Sequence, residues 1–274
     1  MLTNASPALL AAALFALSAC TSAPPHNAGS ATSSSSASSG AGGADAAAPP
    51  ALRVLFIGNS YTYVNDLPGR VHALAASSGV ATVDVDSVVV GGATLDAHVQ
   101  TTGAMQRIDS GGFTHVVIQG QSLEPLTDPA TFATAAQTLA SEAKKVGALP
   151  VFYETWARKA GDAVYVQPWS GGSPAAMQSG LRDAYQKAAA SAGGVVAPAG
   201  DAWEKALAED PLIELFAPDG SHPSVAGTYL VGCVFHATLT GHSPVGIADR
   251  PVEITANDAA ALQGVAATVT VVKP

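Results

Sequence analysis

The stretch RVLFIGNSYTYVNDLPGRVHALAASSG, residues 53–79, decides how the rest of the chain is read. Val54-Leu-Phe-Ile57 is a short run without a polar residue, the pattern of a strand buried on both faces. Gly58-Asn59-Ser60 follows at once, where a glycine permits a tight turn and lets the serine project from the strand's carboxyl end. Asp66 then caps a predicted helix on which Leu67, Val71, Leu74 and Ser78 share one face, and Gly79 stops it.

That strand-then-helix pattern recurs along the chain. Residues 82–90, 115–119, 149–153 and 194–197 read as further strands, and 94–108, 129–146, 174–192 and 224–240 as helices. Such alternation predicts an α/β protein, a three-layer α/β/α sandwich around a central parallel sheet of about five strands. In that architecture ligands bind beyond the carboxyl ends of the strands, so the residues after Ile57, Val90 and Ile118 and those of the late loops converge on one rim. The Gly-rich, aromatic segment 156–173, with Trp156, Tyr165 and Trp169, is expected either to form a wall or lid over that rim or to pack as a surface loop.

Of the 274 residues 48% are hydrophobic and 12% charged, which supplies one sizeable core once the N-terminal segment is set aside. The formal net charge of −9, with Lys and Arg scattered singly apart from Lys144-Lys145, offers nothing to attract nucleic acid. Residues 7–19 form an apolar stretch too short to span a membrane and suited to a signal-peptide core. It ends in Leu17-Ser-Ala-Cys20, which resembles a bacterial lipobox, although no Lys or Arg precedes it. The expectation is lipidation of Cys20, with simple secretion as the alternative. Residues 21–50, dominated by Ser, Ala and Gly, read as a disordered linker, leaving 51–274 as the catalytic domain. The protein would then reside in the cell envelope, periplasmic or surface-facing, and touch the membrane through its lipid only. Cys233, in an apolar run, reads as a buried free thiol unrelated to Cys20.

Ser60 alone is an ordinary strand-end residue, and the turn is not the G-x-S-x-G elbow, because Thr62 stands where that motif needs glycine. The late segment Pro218-Asp-Gly-Ser-His-Pro-Ser224 changes its meaning. A serine becomes a nucleophile when a histidine takes its proton and a carboxylate orients that histidine. A turn at Gly220 allows Asp219 to fold back onto His222, so one short loop supplies both partners.

With these residues in view the chain resembles the SGNH/GDSL hydrolases over most of 53–241. Val54-Leu-Phe-Ile-Gly-Asn-Ser60 resembles their first block, with Asn59 where many members have Asp; Gly91-Gly92 resembles the second; Asp219 and His222 match the fourth. The resemblance implies Ser60 as nucleophile, with the N–H groups of Ser60 and Gly92 as oxyanion donors. The third block departs: the usual Gly-x-Asn is replaced by Gln119-Gly-Gln-Ser122. That run is similar to one in sialate O-acetylesterase relatives, which favours Gln119 as the donor, whereas an ungapped register favours Gln121. The stretches 57–63 and 219–229 are similar to a poorly characterised bacterial branch of the superfamily, which implies mechanism more than substrate.

The implied activity is a carboxylic ester hydrolase forming an acyl-enzyme, without metal or cofactor, removing small acyl groups such as acetyl from a carbohydrate or other envelope-associated ester. The rivals are a lipase or thioesterase with a longer acyl groove, an acyltransferase using the same intermediate, and a binding lipoprotein whose fold has lost catalysis. His26, His72, His98, His115, His236 and His242 lack metal-ligand spacing and read as surface or packed residues, and Asp86 and Asp96 as solvated carboxylates.

Overall fold

The computed structural model describes residues 50–270; the expected signal segment, Cys20 and the linker through residue 49 lie outside the described residues, as do 271–274. The elements run β1 (Ala51–Gly58), α1 (Ser60–Tyr63), α2 (Leu67–Ser78), β2 (Thr82–Val89), α3 (Leu95–Gln100), α4 (Ala104–Asp109), β3 (His115–Ile118), α5 (Glu124–Thr127) and α6 (Pro129–Lys145). They continue with β4 (Leu149–Tyr153), α7 (Pro174–Ala192), β5 (Val195–Ala197), α8 (Ala199–Glu209), α9 (Val225–Thr240) and α10 (Ala256–Val269).

The five strands are parallel, in the order β2-β1-β3-β4-β5. The chain leaves β1 to build β2 on one side and returns to build β3 on the other, so the order reverses at β1. The crevice at such a switch point is where ligands bind in open α/β sheets, and Ser60 is the second residue after β1.

Alternation along β1 builds the two helical layers. Val54 and Phe56 pack with Val71 and Leu74 of α2, Phe235 of α9, and Leu262 of α10. Leu55 and Ile57 point the other way, to Leu95, Ile108, Phe132, Leu139 and Tyr185 from α3, α4, α6 and α7. All four strand residues are fully buried, worth roughly 2 kcal/mol each in hydrophobic transfer. This is the expected α/β/α sandwich.

Asp66 caps α2 by accepting from the Gly69 N–H, and Gly79 ends it at φ 69°. The helix expected over 94–108 is instead two short ones, because the chain breaks between them at Gly103, whose φ is 83°. Helices α8 and α10 are additional to the expected ones: α8 buries Ala199, Ala202, Trp203 and Ala206, and α10 buries Ala259, Leu262, Val265 and Ala266. Cys233 is a buried free thiol, as expected, and burial pushes it up to about 12. Among the described residues no helix is long and apolar enough to cross a membrane.

The segment 156–173 is a packed wall rather than a lid. Trp156 is buried, stacked against Trp203 of α8 at 3.9 Å, while Tyr165 and Trp169 pack against Ala157, Met177 and Leu181.

Candidate active site

Two segments that are distant in sequence meet beyond the carboxyl end of β1. Ser60 Oγ lies 2.8 Å from His222 Nε2, and His222 Nδ1 lies 2.5 Å from Asp219 Oδ2. With Nδ1–H donated to the carboxylate, Nε2 is left to accept from the serine hydroxyl. Asp219 Oδ1 accepts from the backbone N–H groups of Ser221 and His222, both at 2.9 Å, a turn that Gly220 makes possible at φ 69°. Partial burial works to raise the Asp219 carboxyl, but the hydrogen bond from His222 and the two backbone donors outweigh it and hold the group down at about 2.

The loop carrying these residues is tied at both sides. The Ala217 N–H donates to the His222 carbonyl at 2.8 Å, and Ser224 caps α9 while its hydroxyl donates to the Glu214 carbonyl. Asn65, in the left-handed region at φ 55°, donates to the Pro223 carbonyl and to Thr228 Oγ1, both at 3.0 Å. Asparagine tolerates that backbone conformation better than most residues, so it joins the serine segment to the histidine loop at little strain.

Beneath Ser60 lies a buried shelf of amides. Asn59 Nδ2 donates to the carbonyls of Ala93 and Gly120, at 3.1 and 3.3 Å, while its Oδ1 accepts from Tyr61 N–H and from Gln119 Nε2. Gln119 Oε1 in turn accepts from Asn59 N–H at 3.0 Å and from the Thr62 hydroxyl at 2.9 Å. One amide pair therefore fastens the first, second and third blocks together. Gly58 is required there, because a Cβ would sit 2.5 Å from Gln119 Oε1 and 2.6 Å from Thr62 Oγ1. His98, fully buried, places Nε2 2.9 Å from the Gly58 carbonyl; burial lowers it, opposed by that bond. Glu124 accepts from Leu95 and Gln121 N–H, joining α3 to the third block.

The two glutamines separate cleanly. Gln119 is fully buried, and its amide nitrogen already donates to Asn59 Oδ1 and the Gly120 carbonyl. Gln121 is half-buried; its Oε1 accepts from the N–H groups of Leu123 and Glu124, at 2.7 and 3.2 Å, and its amide nitrogen has no protein acceptor among the described residues. The N–H groups of Ser60 and Gly92 likewise donate to no protein acceptor among the described residues. Gly92, at φ 70°, sits in the turn after β2 whose Ala93 carbonyl Asn59 holds.

The expected wall is built from the start of segment 156–173 together with Tyr61, whose part in it the sequence did not show. Tyr61 stacks on Trp156 at 4.6 Å, presents its ring edge-on to His222 at 5.6 Å, and shares a 2.8 Å hydrogen bond with Ser221 Oγ. Trp156 Nε1 donates to the Ser221 carbonyl, and the Lys159 N–H to that of Gly220. Arg158 donates to the Tyr61 hydroxyl and to Ser122 Oγ. Only the cluster of aromatic residues hinted at this wall. An apolar cavity of about 430 Å3, floored by Trp203 and Phe216, has no triad residue in its lining. Arg158 and Lys159 line it beside Trp203, so it adjoins the wall that Tyr61 and Trp156 form without including the triad.

Asp86 is not simply solvated, since it pairs with Arg107. His236 is buried with no partner for either ring nitrogen, and burial takes it down to about 4. Among the described residues no group of His, Cys, Asp or Glu is placed to hold a metal ion.

No known family model matches the sequence, and no curated protein does. Solved structures do. A DUF4886 family protein from Bacteroides uniformis, 18% identical over 80% of this chain and 94% of its own, superposes with a TM-score of 0.67. An acetyl xylan esterase from Geobacillus stearothermophilus, 16% identical over 69% of this chain and 94% of its own, gives 0.51; both likenesses are of fold alone. A protein from Slackia heliotrinireducens assigned to the SGNH hydrolases is 34% identical over 69% of this chain and 99% of its own, with a TM-score of 0.59. With that identity along nearly the full length of a relative, the chain belongs to the SGNH hydrolase superfamily, the class of ester hydrolases that its four blocks resemble.

Proposed function

We propose that the protein cleaves carboxylic esters through an acyl-enzyme on Ser60. The observation that carries this reading is the Ser60–His222–Asp219 chain of hydrogen bonds, 2.8 and 2.5 Å long. His222 Nε2 takes the Ser60 proton as Oγ attacks the ester carbonyl carbon, and Asp219 stabilises the imidazolium. His222 then gives the proton to the departing alcohol oxygen, and the C–O bond breaks. A water, deprotonated by His222, attacks the acyl carbon; the acid leaves and Ser60 regains its proton.

The oxyanion donors in this reading are the N–H groups of Ser60 and Gly92 and the amide of Gln121. Each such donor lowers the barrier by about 3 kcal/mol, because it is already aimed where negative charge develops. The Asn59–Gln119 shelf keeps the turns in place and itself stays out of the reaction.

Small acyl groups, acetyl above all, carried by a carbohydrate or other envelope-associated ester, are the preferred substrate class. In support, the lining of the large apolar cavity does not include the triad, and an acetyl xylan esterase shares the fold. A lipid on Cys20 and the following linker would hold the domain at the cell envelope. Nitrophenyl esters of two to twelve carbons test the reading: turnover is expected to be greatest for acetate and to vanish in Ser60→Ala. A preference for the long chains would replace it with a lipase or thioesterase, and transfer to a sugar in preference to water with an acyltransferase.

A further inference from the structure

Arg158 is the charged group at the rim that the proposed reaction leaves without a task. Acidic residues outnumber basic ones by 21 to 12, so carboxylate partners are not scarce. Arg70 and Arg107 each pair with one and Arg182 with two, while Arg53 and Arg250 donate to the backbone carbonyls of Gly112 and Ile254. Arg158, half-buried beside the triad, pairs with none among the described residues and meets only two neutral hydroxyls, those of Tyr61 at 2.5 Å and Ser122 at 2.9 Å. Two of its five N–H groups are thereby used and three are free.

The backbone that carries it is also held in place. The flanking Ala157 and Lys159 N–H groups donate to Gln178 Oε1 and the Gly220 carbonyl, both at 2.9 Å, and the Tyr165 hydroxyl donates to the Arg158 carbonyl. The guanidinium lies 5.9 Å from the centre of the Tyr61 ring, whose hydroxyl bonds Ser221, the neighbour of His222; Ser122 follows Gln121. A partly desolvated cation, fixed between the serine, third-block and histidine segments with open donors, is a receptor for a planar anion.

We infer that Arg158 forms a carboxylate-binding subsite beside Ser60, so that the favoured esters carry a negatively charged carboxylate on their acyl or alcohol part. The inference rests on the serine-esterase reading for its link to turnover, and the competing role for Arg158 is a brace between Tyr61 and Ser122.

The test uses two matched pairs with the intact protein: 4-nitrophenyl hemisuccinate beside 4-nitrophenyl butyrate, and 4-acetoxybenzoate beside phenyl acetate. A charge-assisted hydrogen bond predicts that Arg158→Gln raises KM for a charged ester about 10- to 100-fold, with Arg158→Lys in between, while the neutral partner changes little. Equal losses for charged and neutral esters, or no loss for either, would overturn the subsite. Calorimetric titration of the same esters into Ser60→Ala, with and without Arg158→Gln, reads binding without turnover. Charged-ester binding that survives Arg158→Gln contradicts the inference. Binding that depends on Arg158 in a protein hydrolysing none of the four esters would support the subsite and sink the esterase reading instead.

Discussion

The two sides of Ser60 are built on opposite principles. Below it, Asn59 and Gln119 are buried and every polar atom of their amides has a protein partner. Beside it, Asp219 is half-exposed, and Arg158 and Gln121 keep donors in reserve. A satisfied buried network fixes a backbone in one arrangement, because any slip strands a polar group away from water at a cost of about 1 to 3 kcal/mol. Groups with unspent donors do the opposite: they hold capacity for a ligand or a transition state. The lower side thus sets geometry, and the outer side is where the chemistry belongs.

The contrast is sharpest for changes that damage one side and spare the other. Asn59→Asp is expected to have the largest effect. It removes the two donors that hold the carbonyls of Ala93 and Gly120 and points a carboxylate at them, which should lower stability by roughly 3 kcal/mol or more in a denaturant titration. An unchanged melt would mean that the shelf does not organise the three blocks.

Gln121→Ala comes next and belongs to the other side. Loss of one oxyanion donor should lower kcat about 100-fold with little change in melting temperature. Gln119→Ala should show the reverse order of effects, a clear loss of stability with any activity loss following from it. Equal kinetic losses with intact stability in both variants would restore Gln119 as a donor.

The narrowest effect, confined to the pH dependence of stability, is expected away from the triad. Burial, then the neighbouring Asp201 charge, pushes Glu154 up to about 8 from an ordinary value of 4.5. The folded protein therefore keeps a proton that the unfolded chain releases between those values. Stability from this group is complete below about pH 4.5 and falls as pH rises through 8. Glu154→Gln should flatten that decline between pH 5 and 8 in thermal melts; a slope identical to the parent's would show that Glu154 is ionised in the folded state.

The fold was legible because its signals are strong. The apolar run Val54–Ile57 in β1, Asp66 and Gly79 bounding α2, and repeated strand-to-helix alternation leave few other architectures. Helix α10 was missed because alanine stands on its exposed face, at Ala260 and Ala261, as well as on its buried one, which blurs the stripe; α8 carries a regular stripe, Ala202, Trp203 and Ala206, that the expected helices did not include. At the site, Asp219 and His222 stood out because a short turn spacing carries their chemistry, and Ser60 because it follows the first strand at once. Arg158, Asn65 and the Trp203–Trp156–Tyr61 stack did not, since their partners lie far away in sequence. The choice between Gln119 and Gln121 needed the sheet itself. The main chain of Gln119 continues the ladder, donating to the Ile57 carbonyl, and its side chain turns beneath the strand ends, while Gln121 lies beyond the ladder.

The most direct measurement of the central claim is fluorophosphonate labelling of the purified protein, located by peptide mass spectrometry, with nitrophenyl acetate hydrolysis followed in the same samples. The account predicts one adduct, on Ser60, and loss of both labelling and turnover in Ser60→Ala while the melting temperature holds. A folded protein that takes no label and turns over no ester, or one labelled at another serine, would contradict it.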